Sequence, residues 1–271
     1  MTKEQSSTIS FLTLGDGDFT YSLDLAQHLS AHDKDDIRTR TTRRLIATSL
    51  DTHDELVAKY KDINFVFKSL ENFKSDSLLI SKHHGVNAIV FPSQQEETIH
   101  NFRADHVMFH HPHVGTEDSQ RHARFLMHLF HSVGKYWSTP NGVFHLTLIF
   151  GQYKRWECER AATRHGFTLL TRKRFQPPPT SATKHYQYRR HQTGKSFESR
   201  RAYSETFTFG RKMEANHYIA TCLPWQTKSI DDSSPNAKDE EETVSQLQCL
   251  HCNKAFREGR SLKCHIRDVH S

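Results

Sequence analysis

The chain is predicted to fold as an α/β protein, with a doubly wound, mostly parallel sheet, a late antiparallel hairpin and a small metal-stapled unit at the C-terminus. Three observations predict this. A short apolar run, Phe11 to Leu14, stops at Gly15 and Gly17 and passes straight into an amphipathic segment, which reads as strand, tight turn and helix. Apolar strand-like runs and helix-period segments then alternate to about residue 210. Last, Cys249-x2-Cys252-x12-His265-x4-His270 has the ligand types and spacing of a tetrahedral zinc site.

Taken in order, residues 1–8 are polar and predict a disordered lead-in. At the first bend, Gly15 and Gly17 allow positive φ and close approach of a ligand, with the N–H groups of the next helix behind them. Phe19, Leu23, Ala26 and Gln27, with Leu25 and Leu29 nearby, have the period of a buried crossover helix. Ala31 to Arg44 is a charged surface insertion. Leu45 to Leu50 is the second strand, and Asp51 ends it. An acid there can accept hydrogen bonds from both ribose hydroxyls of an adenosine cofactor, or it can cap the helix that follows. That helix runs from Asp54 to Tyr60, and Phe65 to Leu70 fits either a strand or a buried helix.

Further on, Ser75 to His84 predicts a helix ended by Gly85, and Asn87 to Phe91 a third strand. His106 to His110 is a fourth strand. It runs into His111-Pro112-His113-Val114-Gly115, a loop at the carboxyl end of a central strand, where ligands bind in open α/β sheets. Thr116 or Asp118 caps a long helix to about Trp137, and Pro140-Asn141-Gly142 turns the chain into a fifth strand, Val143 to Ile149. Lys154 to His165 is a helix with Trp156, Ala161 and Ala162 inward and Gly166 as its C-cap. Phe167 to Thr171 is the sixth strand, Arg172 to Arg201 a basic loop, and Thr206 to Phe209 the returning seventh strand. The main domain therefore spans 9–215, an acidic linker 226–246 and the metal unit 247–271.

With 271 residues, 35% of them hydrophobic, and a mean hydropathy of -0.74, the chain can bury one sizeable core plus something small. No apolar run approaches the roughly 20 residues of a membrane span, and residues 1–7 lack the apolar stretch of a signal peptide. The expectation is an intracellular protein with no membrane partner. Charge is divided unevenly: residues 1–120 carry 12 Lys and Arg against 18 Asp and Glu, whereas residues 121–220 carry 18 against 5. A basic half of this kind attracts a polyanion, and nucleic acid is the expected partner. Within it, Lys184, Tyr186, Tyr188, Arg189 and Arg190 interleave cations with rings, suited to phosphates and unpaired bases of RNA.

Of the five cysteines, Cys249 and Cys252 are zinc-ligand candidates with His265 and His270. Phe256 and Leu262 fall at the two small-core positions of a ββα finger, so metal and side chains together stabilise a unit too short to fold alone. Residues 247–271 resemble the Cys2His2 zinc-finger family. The resemblance assigns base reading to Glu258, Ser261 and Cys264, none of which is an Arg, Asn or Gln able to grip a base edge by two bonds. Docking on RNA backbone through Lys254, Arg257, Arg260, Lys263 and Arg267, or contact with a protein, suits this finger better.

The larger domain also resembles a family. Leu14-Gly-Asp-Gly-Asp-Phe-Thr-Tyr-Ser-Leu23, Ala47-Thr-Ser-Leu-Asp51 with Glu55-Leu-x3-Tyr60, Phe109-His-His-Pro-His-Val-Gly115, His145-Leu-Thr-Leu148 with Tyr153-x2-Trp156, and Tyr188-Arg-Arg with Thr206-Phe-Thr-Phe209 resemble the large-subunit ribosomal RNA (uridine-N3) methyltransferase-like domain over about residues 9–210. The resemblance implies a Rossmann-like methyltransferase fold, S-adenosylmethionine as cofactor, and action on ribosomal RNA in the nucleus or nucleolus. It implies a cofactor loop of Gly15, Asp16, Gly17, Asp18 and Phe19, with Asp51 on the ribose and Gln95 or Glu96 at the adenine. His110, Pro112 and His113 stand in the catalytic loop, where the family's Asn-Phe-Pro-His is here His110-His111-Pro112-His113. Methyl transfer from a sulfonium rests on in-line positioning, and a uridine imide must lose its proton, so His110 or His113 is the expected base while Pro112 stiffens the loop. The same residues allow a second reading: a methyltransferase fold without chemistry that binds RNA or protein.

Overall fold

The opening of the chain forms as its residue pattern dictates. In the computed structural model, which describes residues 7–31, 41–90, 99, 102–180, 186, 203–211 and 225 and the strand pairs 247–248 and 255–256, β1 (Thr8–Leu14) leads through the glycine bend into α1 (Thr20–Ala31). There follow β2 (Thr42–Thr48), α2 (His53–Lys59), α3 (Ile63–Asn72), β3 (Leu78–His83) and β4 (Ala104–His110). The rest of the sheet layer comprises α4 (Ser119–Ser132), closed by a π-helical turn (Val133–Trp137), then β5 (Ser138–Ile149), α5 (Gln152–Arg155), α6 (Cys158–Arg164), β6 (Phe167–Arg174) and β7 (Ser204–Arg211).

These strands form one sheet in the order β3-β2-β1-β4-β5-β7-β6. The first five run parallel, and β7 is antiparallel to both β5 and β6. Strand order reverses between β1 and β4, the switch point of a Rossmann-like sheet. Alternate residues of β1 feed opposite cores, as strand geometry requires. Leu12 and Leu14 join Leu126, Leu129 and Phe130 of α4 and Ala161 and Ala162 of α6 on one face. Phe11 joins Leu23 and Leu25 of α1, Leu56 of α2 and Val66 and Leu70 of α3 on the other.

Several expectations need correction. Leu78–His83 is a strand parallel to β2, not part of a helix. Residues 87–90 do not form the third strand. They run as a loop whose carbonyls bond to side chains: Trp137 Nε1 donates to Ala88 O at 2.9 Å and Ser132 Oγ to Ile89 O at 3.1 Å. Phe65 to Leu70 lies in helix α3, with Ile63, Val66, Phe67 and Leu70 buried at helical spacing. Pro140-Asn141-Gly142 bulges within β5 and does not precede it, because the partner of Ala104 is Ser138 while that of His106 is Val143. The helix expected over 154–165 breaks at Glu157, whose φ is 50°. β6 continues to Arg174 and so takes in the first residues of the expected basic loop. Thr8, placed in the lead-in by sequence, is already in β1. Asp118 is the cap of α4, its Oδ1 accepting from the N–H of Gln120 and Arg121.

The chain divides into two compact units, 1–229 and 230–271. In the second, β8 (Leu247–Gln248) and β9 (Ala255–Phe256) pair antiparallel. The four zinc-ligand candidates, the acidic linker, Gln95 and Glu96, and Lys184, Tyr188, Arg189 and Arg190 lie outside the described residues. Among the described residues no helix is long and apolar enough to cross a membrane.

Candidate active site

The glycine bend is held at the carboxyl edge of the sheet by its neighbours. Asp16 N donates to Thr48 O at 2.9 Å and Ser49 Oγ to Gly17 O at 3.3 Å, so the bend is stitched to the end of β2. Gly15 has φ 62° and lies against the ring of Phe109, where a Cβ would come within 2.6 Å of Cε2. A Cβ on Gly17 would meet Tyr60 Oη at 3.2 Å. The other side chains of the loop serve its shape. Asp16 Oδ2 accepts from Ser22 N at 2.7 Å and Ser22 Oγ at 2.5 Å, which ties the bend to α1. Burial, with Asp18 nearby, pushes the Asp16 carboxyl up to about 7. Asp18 Oδ1 accepts from Thr20 N and Oγ1, satisfying the first turn of α1. Phe19, fully buried at φ 59°, packs edge-on to Phe67 and His84.

Asp51 is buried at the same rim, three residues past β2. Its Oδ1 receives Lys59 Nζ at 2.6 Å. That lysine returns to it because α2 starts immediately after: Thr52 is the N-cap, in a reciprocal capping box with Glu55, so Asp51 is not the cap.

At the end of β4 the four residues His110 to His113 have distinct surroundings. His110 is half-buried, its Nδ1 2.8 Å from Thr147 Oγ1 and its ring 3.9 Å from that of Tyr21. Its Nε2 is buried without a hydrogen-bond partner among the described residues. Burial, then the neighbouring His111, holds its basicity well below that of a free imidazole. His111, at φ 51°, has Nδ1 3.0 Å from Tyr186 Oη and Nε2 2.9 Å from Ser204 Oγ. Burial lowers it to about 3. Pro112 is buried and His113 is exposed, the latter accepting from Gly115 N at 2.9 Å with Glu117 at 3.6 Å. Phe175 and Tyr186 close around His110 at ring distances of 5.2 and 6.4 Å. Tyr186, predicted to hold RNA, thus sits against the His110–His111 turn, its N donating to Asp24 Oδ2 at 2.9 Å.

The family described as rRNA (uridine-N3-)-methyltransferase BTM5-like matches residues 12–190. The chain belongs to this family. That span takes in the glycine bend, Asp51 and the whole of the His110 loop. A curated relative, heavy metal-associated isoprenylated plant protein 41 of Arabidopsis thaliana, is 27% identical over 182 residues, which are 64% of this chain and 32% of that protein. The chain thus spans about a third of the length of that relative. Among solved structures, a methyltransferase from Pyrococcus furiosus aligns over 77% of each chain at 11% identity and a TM-score of 0.41. Human methyltransferase-like protein 13 in complex with SAH aligns over 79% of this chain and 76% of that one at 15% identity and a TM-score of 0.41.

In this member of the family, sequence reasoning missed Lys59, Tyr21, Thr147 and Phe175 as neighbours of the candidate residues. Lys59 had a local signal, a basic residue one short helix beyond Asp51. The other three reach His110 from separate elements, Tyr21 from α1, Thr147 from β5 and Phe175 from just past β6. Among the described residues no group of His, Cys, Asp and Glu is disposed to hold a metal.

Proposed function

We propose that this chain is an S-adenosylmethionine-dependent RNA base methyltransferase whose target is the N3 position of a uridine in ribosomal RNA. The observation that carries this is the family match over a span in which the glycine bend, a buried Asp51 and the His110 loop share the carboxyl edge of a Rossmann-like sheet. The residues present fit the cofactor: a glycine bend stitched to the end of β2 at the carboxyl edge of the sheet, and a buried carboxylate one strand away. Gly15 to Phe19 would hold it through the backbone, since the Asp16, Asp18 and Phe19 side chains are engaged within the fold. Asp51, steadied by Lys59, would accept from the ribose hydroxyls, with Gln95 or Glu96 toward the adenine. When bound, the cofactor supplies a methyl group already activated on a sulfonium.

The remaining steps belong to the chain. Tyr21, Phe175 and Tyr186 crowd His110 and exclude water from its ring. Kept neutral by burial, with Nδ1 engaged by Thr147, His110 offers Nε2 as acceptor for the imide N3–H and orients it. Pro112 stiffens the turn, and the exposed His113 beside Glu117 borders the solvent that would take the imide proton as N3 receives the methyl group. Lys184, Tyr188, Arg189 and Arg190, neighbours of Tyr186 in sequence, would bind the RNA strand. For the second unit we propose a Cys2His2 zinc finger on Cys249, Cys252, His265 and His270, docking RNA backbone or a protein partner. The antiparallel pairing of β8 with β9 supports this reading. Action on ribosomal RNA would take the chain to the nucleus or nucleolus.

The test is methyl transfer in vitro: full-length protein, large-subunit ribosomal RNA and isotopically labelled S-adenosylmethionine, followed by nucleoside mass spectrometry. Label in N3-methyluridine is the expected product. Cofactor binding with no methylated nucleoside would instead support the module that binds without chemistry.

A further inference from the structure

Where β5 ends and β7 begins, two aromatic rings stand out from the surface. Phe150 is 53% exposed and Tyr203 38% exposed, their centroids 4.9 Å apart and their planes 37° from parallel. The backbone holds them there, for Phe150 N donates to Tyr203 O at 2.9 Å. Arg174 lies with Cζ 5.4 Å from the Tyr203 ring centroid. Phe150 also forms one wall of a cleft of about 1050 Å³, lined further by Lys154, Arg160, Arg164 and Arg172.

The charges of this cleft are not balanced. Glu205 accepts two bonds from Arg172 at 3.0 Å, and Glu157 accepts from Arg160 at 2.7 Å. Two of the three lining acids are thereby committed, leaving Glu159. Lys154 and Arg164 in the cleft, and Arg174 outside it beside Tyr203, are exposed and have no carboxylate partner among the described residues. They belong to the half of the chain in which basic residues outnumber acidic ones 18 to 5.

We infer that Phe150 and Tyr203 are a stacking platform for unpaired nucleotides, with Arg174 and Lys154 on the flanking phosphates. Exposed rings beside unpaired cations match single-stranded RNA, whose bases stack on aromatic faces while the backbone follows positive charge. An apolar or acidic protein partner would leave one half of that pairing unused. The platform also lies next to the candidate active site. His111 Nε2 is 2.9 Å from Ser204 Oγ, the residue after Tyr203, and Phe175 N donates to Ser204 O at 2.8 Å. At the end of β6, Arg174 is exposed beside Tyr203 and the next residue, Phe175, is buried against His110. A strand stacked on the platform therefore passes within a few residues of the catalytic loop. This rests on the RNA reading above.

The test is fluorescence anisotropy of the full-length protein with a labelled 12-nucleotide single-stranded RNA and with the same strand in a duplex. Phe150→Ala/Tyr203→Ala is expected to weaken single-strand binding by roughly five- to a hundredfold and to leave duplex binding and the affinity for S-adenosylmethionine unchanged. Phe150→Trp/Tyr203→Phe should restore it, and Phe150→Ala alone, at an exposed position, should give part of the loss without unfolding. Unchanged single-strand affinity in the alanine variants, against a wild type that binds, overturns the platform alone. A wild type that binds neither RNA overturns the platform and the RNA reading together.

Discussion

At Gly15 a single methyl group would lie 2.6 Å from Phe109 Cε2 and 2.9 Å from Cζ, at a φ of 62° that side chains avoid. Gly151 has φ 84° but open space around it. The two glycines separate backbone strain from crowding. Gly151→Ala is expected to cost about 1–2 kcal/mol, and Gly15→Ala about 2–5 kcal/mol because overpacking adds to the strain. Chemical denaturation of the two variants side by side checks this, and equal losses would contradict the crowding. His110 carries the proposed orienting role through one nitrogen, so His110→Ala is expected to retain cofactor affinity while methyl transfer falls at least tenfold. Single-turnover assays with saturating cofactor measure it, and an unchanged rate would remove His110 from the chemistry.

Among the elements, β4, β5 and β7 bury a polar face in place of an apolar one. His106 Nδ1 is 3.1 Å from His145 Nε2, His145 Nδ1 is 3.0 Å from Thr208 Oγ1, and Thr147 Oγ1 is 3.0 Å from Thr206 Oγ1. Burial lowers His106 to about 4 and holds His145 well below the ordinary imidazole range. Neutral in the fold, both take up a proton on unfolding once pH falls below 6.5. The His106 contribution is therefore complete above pH 6.5 and lost as pH drops from there toward about 4, at about 1.4 kcal/mol per pH unit, and that of His145 is lost in the same direction. Asp16, raised to about 7, acts in the opposite sense, its contribution fading as pH rises toward that value. His145→Gln keeps a hydrogen-bonding side chain and removes one titrating group. Its stability should fall less steeply than wild type between pH 6.5 and 5, by about 1.4 kcal/mol per pH unit, and parallel slopes in denaturant titrations at several pH values would contradict this.

Legibility also divides by element. The strands of the sheet centre and helices α1 and α4 were readable because their apolar residues keep one period. β3 was not, because Leu79 is 51% exposed between buried Leu78 and Ile80, which turns an alternating edge strand into an unbroken apolar triplet. Residues 87–90 misled in the opposite way. Ala88 is buried like a strand residue, yet its carbonyl bonds to Trp137 and not to a neighbouring strand. Within the site, the glycine bend and Asp51 carried local signals. The aromatic surround of His110 did not, since Tyr21, Phe175 and Tyr186 come from far-apart stretches that only the sheet order brings together.

For the whole molecule, the two compact units allow the metal and cofactor claims to be tested separately. One zinc per chain is expected by elemental analysis, falling to none in Cys249→Ser, while cofactor affinity stays unchanged. A zinc-free wild type would contradict the finger. The central claim is that the glycine bend and Asp51 hold S-adenosylmethionine, and isothermal titration of that cofactor into wild type and Asp51→Ala tests it most directly. The account predicts one equivalent bound by wild type and affinity weakened roughly ten- to a hundredfold in a folded Asp51→Ala. No heat of binding in folded wild type, or equal affinity in the two proteins, would contradict it.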